Sequence, residues 1–165
     1  MTRQLVLLAA AIPALALCQK ISLSFDAQQD FAAYKTFAIA SGKVNSKNPV
    51  LNNDLVRQQI DNDIRQRLTA RGLAEVTANP DLNVRYSLGS ARQVETDAYP
   101  AGWYGTRLVR RGITEGTLIF DLRDAKRHVL VWRAIAVSDE SNAIKVKDKL
   151  DDMVRKAAEK YPPKK

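Results

Sequence analysis

Residues 117–137 read TLIFDLRDAKRHVLVWRAIAV. Thr117 to Leu122 and Val129 to Val137 are dense in β-branched and aromatic residues, and the polar run Asp124 to His128 between them can turn the chain. Together they predict a β-hairpin with a loop of intermediate length. Side chains alternate across a strand, so Leu118, Phe120 and Leu122 should share one face, with Leu130 and Trp132 packing nearby. Asp121 falls on the opposite side, where it should meet solvent or a neighbouring strand residue such as Arg133.

Upstream of the hairpin, Asn79-Pro80-Asp81 marks a turn. After it Leu82, Val84, Tyr86 and Leu88 alternate with Asn83, Arg85 and Ser87, a second one-sided strand. The stretch before this turn carries a different period. Val56, Ile60, Ile64 and Leu68 recur every fourth residue, so Asp54 to Arg71 predicts a helix with one apolar stripe. Asn52 or Asn53 can cap its start by accepting a free backbone N–H. Gly72 can end it in the left-handed conformation, with Leu68 and Leu73 spaced to close the cap. Nearer the N-terminus, Ile21, Leu23 and Phe25 alternate as a strand. Tyr34 to Ile39 reads as another, packing Phe37 and Ile39, and the polar run Ser41 to Pro49 reads as a loop. At the other end, Val146, Leu150, Met153, Val154, Ala157 and Tyr161 fall on one helical face before Pro162-Pro163 stops the helix. Gly89 to Gly112 shows the least regularity and reads as a long loop. The expected architecture is α+β, an antiparallel sheet of about five strands with two helices packed on one face.

The first residues carry a different message. Leu5 to Leu17 holds no charge and follows Arg3, which is the pattern of a secretory signal peptide. The run is too short to cross a bilayer core, and Pro13 argues against a buried helix. The expected division is a signal peptide over 1–18 and one α+β domain over 19–165. Ala16-Leu17-Cys18 fits ordinary cleavage, releasing a chain that starts at Gln19. Leu15-Ala16-Leu17-Cys18 also approximates a lipoprotein signal with Cys18 as the lipidated residue, although the residue before that cysteine is usually small. Cys18 is the only cysteine, so no disulfide can staple the domain. The basic balance, 26 Lys and Arg against 18 Asp and Glu, suits anionic neighbours or simple solubility.

Order and spacing along the mature chain resemble a known family. Phe25-Asp26, Asp30-Phe31 and Tyr34-Lys35-Thr36-Phe37 open the pattern. The Gly72 helix end, Pro80-Asp81-Leu82 with Tyr86, and Glu115-Gly116-Thr117-Leu118 continue it. Asp121-Leu122 and Leu130-Val131-Trp132-Arg133 close it. These residues resemble the bacterial domain of unknown function 4136 (DUF4136). The resemblance implies an α+β domain in the cell envelope, often lipid-anchored, and supplies no reaction.

Catalytic machinery is not legible. A metal site needs several ligands, and His128, the only histidine, sits at the expected hairpin turn. A Ser-His-Asp relay would need that same residue, and no strand–turn–helix nucleophile motif surrounds any serine. Gly102 to Gly105 lacks the lysine and helix of a phosphate loop. Glu115 and Asp121 could form a carboxylate pair, but the placement of Asp121 suits a surface or cross-strand role better. No cofactor is expected. Trp103, Tyr104, Arg107, Arg110 and Arg111 form a candidate recognition loop, because aromatic and Arg side chains anchor binding surfaces. The expected function is that of a non-enzymatic accessory or binding protein, periplasmic or at the outer membrane. Its partner would be an envelope protein or an anionic surface, either lipid head groups or an acidic glycan; export argues against nucleic acid. A small enzyme using carboxylates and a purely structural lipoprotein are the alternatives.

Overall fold

The computed structural model describes residues 20–100, 106–140 and 142–164, with the backbone alone over 90–100 and 106–115. Six strands form one mixed sheet: β1 (Lys20–Phe25), β2 (Thr36–Asn45), β3 (Ala74–Glu75), β4 (Leu82–Pro100), β5 (Thr106–Asp124) and β6 (Leu130–Glu140). Their spatial order is β1-β6-β5-β4-β2-β3. Three helices accompany them: α1 (Asp54–Ala70), α2 (Ala143–Asp148) and α3 (Leu150–Ala158). The chain is α+β, but the expected all-antiparallel sheet of about five strands with two helices needs correction. β2 runs parallel to both β3 and β4. The reason is α1, which carries the chain from the end of β2 back to the end where it began, so the next strands enter in the same direction.

α1 forms as its apolar stripe dictates. Asn53 caps it by accepting the Val56 N–H at 3.0 Å. Gly72, at φ +87°, ends it: its N–H donates to the Thr69 carbonyl and the Leu73 N–H reaches back to Leu68. Val56, Ile60, Ile64 and Leu68 are fully buried in one core with Leu82, Val84, Tyr86 and Leu88 of β4, Leu118, Phe120 and Leu122 of β5, and Trp132 of β6. Trp132 sits edge-on to Phe120 at 5.3 Å and to Tyr161 at 5.9 Å, closing the core under the C-terminal segment. The expected single C-terminal helix is two, broken at Lys149, and both turn their apolar side to the same core.

Two stretches expected to be loops continue as strands. β2 runs on to Asn45, because Gly42 lets the Tyr86 ring lie against it; a Cβ there would fall 2.2 Å from Cζ. Gly89 to Gly112 is largely strand, with β4 and β5 pairing without a register break from Leu82↔Asp124 to Pro100↔Thr106. Neither β2 nor β6 follows the ribbon to its tip, since their pairing ends at Asn45↔Gly89 and Glu140↔Thr114. Apolar alternation, the periodicity used to find strands, is missing from the sequence there.

Candidate functional site

Among the described residues, helices cover one face of the sheet and nothing covers the other. The cross-strand rows define its residues. Ser41, Arg85, Asp121, Arg133 and Ser24 lie side by side across β2, β4, β5, β6 and β1. Two residues along each strand, the next row reads Lys43, Ser87, Ile119, Ile135 and Ser22, followed by Asn45, Gly89, Thr117, Val137 and Lys20. Within the first row Arg133 grips Asp121 with two parallel bonds of 2.7 Å, Nε to Oδ1 and a terminal nitrogen to Oδ2. The Arg133 partner anticipated for Asp121 is therefore present. Arg85, on the other flank of Asp121, is exposed and makes no ion pair among the described residues. A shallow hollow of about 110 Å³ lies between Arg85, Ser87, Ile119 and Asp121.

A second cluster joins the start of β2 to the turn between β5 and β6. Both Asp124 oxygens are occupied. Oδ1 accepts the Lys126 and Arg127 N–H groups at 3.0 and 2.8 Å; Oδ2 accepts the Tyr34 hydroxyl at 2.9 Å and Arg127 Nε at 3.0 Å. Burial pushes the Asp124 carboxyl up, but these hydrogen bonds and the Arg127 charge prevail and bring it down to about 2. Asp81 likewise accepts the Lys35 and Thr36 N–H groups and the Thr36 hydroxyl through Oδ2. Those bonds, led by the Lys35 N–H, hold its carboxyl below the usual range. The cleft beside them measures about 340 Å³. Both Asp124 oxygens and Asp81 Oδ2 accept several donors each, which suits tying strands together. His128 lies in this turn at φ +59°, exposed, as a turn residue.

A third group lies between α1 and α3. Arg67 pairs with Asp151 at 2.7 Å, and Asp63 stands near both. Burial first, and the Asp151 charge second, push the Asp63 carboxyl up to about 6 against the opposing pull of Arg67. A hollow of about 720 Å³, the largest described, is lined by Leu23 at the β1 edge, Arg71, Glu159, Lys160 and Pro162 to Lys164. Among the described residues no three His, Cys, Asp or Glu side chains group as a metal site, and no helix is long and apolar enough to cross a membrane.

Of the residues singled out in the sequence, Cys18, Trp103 and Tyr104 lie outside the described residues. Arg107, Arg110 and Arg111 lie on the returning strand of the ribbon, opposite Tyr99, Thr96 and Glu95, so they belong to β5 and not to a loop. Glu115 stands on β5 opposite Ala91 and Asp139. The sequence reading passed over Lys43, Arg85, Ile119 and Ile135 as a group. The available signal was the off-phase position of each strand: the residues between the core positions must share a face too.

No curated protein matches the chain. Among solved structures, a PDZ domain protein from Parabacteroides distasonis superimposes with a TM-score of 0.62 at 16% identity, covering 88% of this chain and 36% of that one. The chain thus spans little more than a third of that protein, and the likeness concerns the fold alone. PelC from Paraburkholderia phytofirmans, a dodecamer, gives a TM-score of 0.45 at 14% identity over 85% of this chain and 94% of its own. A protein of the DUF330 family from Xanthomonas campestris gives 0.39 at 9% identity over 76% and 79%. The family model described as a domain of unknown function, DUF4136, matches residues 21–163, and the chain belongs to that family.

Proposed function

We propose that the chain is an exported envelope protein that works by binding and not by catalysis, with the open face of its sheet as the contact surface. The observation that carries this reading is the division of labour between the two faces. Asp81, Asp121 and Asp124 are each committed to backbone N–H groups or an Arg, while among the described residues a whole sheet face stands without a covering layer. Acid–base catalysis needs a carboxyl that exchanges its proton readily, and the contacts of Asp81 and Asp124 hold both below the usual carboxylate range. The charge-free run from Leu5 to Leu17 supports export, with processing before Gln19 or at a lipidated Cys18.

The test is fractionation of the native host combined with site-specific photocrosslinking. A photoreactive residue replaces Ser87 on the open face, or Ile144, exposed on α2, as the comparison. The expected result is a processed chain in the envelope fraction that crosslinks from position 87 and not from 144. A full-length chain confined to the cytoplasm, or equal crosslinking from both positions, overturns the reading.

A further inference from the structure

We infer that the open sheet face docks on an anionic phospholipid surface, an inference that rests on the reading of the chain as an envelope binding protein. Three features of the face point there. Its centre is aliphatic: Ile119, Ile135 and Val137 are only partly covered. Its margins are basic, with Lys20 and Lys43 at opposite edges, Arg85 between, and Arg123 one row away. Lys20, Lys43 and Arg85 are exposed and make no ion pair among the described residues. The acids of the face are Asp121, already neutralised by Arg133, and the facing positions Glu115 and Asp139 at its margin, two against the four basic positions Lys20, Lys43, Arg85 and Arg123.

Surplus cations around an aliphatic centre complement a plane of negative head groups. The residue types also separate this occupant from its rivals. Sugars and unpaired bases are gripped by stacking on aromatic rings, and the described residues of this face include no aromatic side chain. Phospholipid head groups need only charge and hydrogen-bond donors, which Lys and Arg supply. Phe37, Tyr86, Phe120 and Trp132 are buried on the helix side, and Phe25 packs partly buried against the same core.

The experiment is cosedimentation of the full chain with vesicles of phosphatidylcholine alone or with 30 mol% phosphatidylglycerol. Wild type is compared with Lys43→Gln/Arg85→Gln and with Lys145→Gln/Lys147→Gln. The second pair removes the same charge from α2 on the covered side, and residues 1–18 are common to all three proteins. A cation at an anionic surface contributes about fivefold in partitioning, so the open-face pair should lose about 25-fold on the anionic vesicles. The α2 pair should lose less than about threefold, and binding should fall steeply with added salt. Equal losses from the two pairs, or equal binding to both kinds of vesicle, overturn the proposal. Tighter binding to an acidic polysaccharide, with the same dependence on Lys43 and Arg85, overturns lipid as the occupant. Crosslinks from position 87 to an envelope protein, without vesicle binding, would remove the lipid and leave the broader binding function standing.

Discussion

Replacing Trp132 with alanine should cost about 3–5 kcal/mol, and replacing it with phenylalanine much less. The indole is 0% exposed and meets Phe120 and Tyr161 edge-on at 5.3 and 5.9 Å, so alanine empties a large site at the centre of the core. Each aromatic pair adds about 0.5–1.5 kcal/mol beyond burial, which places the expected loss in the upper half of that range. The phenylalanine variant separates packing from polarity. Trp132 Nε1 is buried without a hydrogen-bond partner among the described residues, and an unsatisfied donor costs about 1–3 kcal/mol. Phenylalanine gives up part of the ring area but also removes that N–H, so the two changes offset and the net loss should stay within about 1–2 kcal/mol. Equilibrium urea unfolding followed by far-UV circular dichroism measures both, independently of the lost chromophore. An alanine loss under about 1 kcal/mol would mean that Trp132 faces solvent and that β6 is one residue out of register. A phenylalanine variant as damaged as the alanine one would show that the indole N–H has a partner after all.

Asp63 supplies a pH test. Its carboxyl is raised in the fold, so its contribution is fully present below the ordinary carboxylate range and is lost as pH rises through about 6. Asp63→Asn should therefore raise stability at pH 7.5 by about 1 kcal/mol, well under the full value of the shift because the group is partly solvated, and do little at pH 4; urea midpoints that differ from wild type equally at both pH values would refute this. Asp121→Asn should cost about 1–2 kcal/mol by leaving Arg133 without its bidentate partner, and a double-mutant cycle with Arg133→Gln should return a coupling near 1 kcal/mol. Gly42→Ala should cost about 1–3 kcal/mol through collision with the buried Tyr86 ring. Tyr86→Phe should not relieve it, since the nearest atom is ring Cζ; restoration by that second change would show that the hydroxyl alone causes the conflict.

Local rules read much of this chain correctly. The stripe of Val56, Ile60, Ile64 and Leu68, the Asn53 cap and the Gly72 stop are written within a few residues of one another, because a helix closes its hydrogen bonds locally. Alternation in Leu82 to Leu88 and Leu118 to Leu122 marked core strands for the same reason: each buries one face and exposes the other. The family pattern was legible too, and the structure gives several of its residues physical duties. Tyr34 and Asp81 anchor the start of β2, Gly72 ends α1, and Arg133 holds Asp121.

What escaped the sequence depends on partners far along the chain. Whether β2 lies parallel or antiparallel to β4 is decided by the return path through α1, and no local periodicity carries that information. The ribbon beyond Gly89 lacks apolar alternation in its sequence, and the backbone pairing of residues 90–100 with 106–116 identifies it. The candidate surface is of the same kind. Lys20, Lys43, Arg85, Ile119 and Ile135 come from five strands scattered over more than a hundred residues, and only the sheet order β1-β6-β5-β4-β2 sets them side by side. By itself the sequence determined which segments have a buried side, since hydrophobic burial leaves its period in the chain. The tertiary structure alone decided which exposed sides share a face, because that follows from strand order and register, and neither is encoded within any one segment.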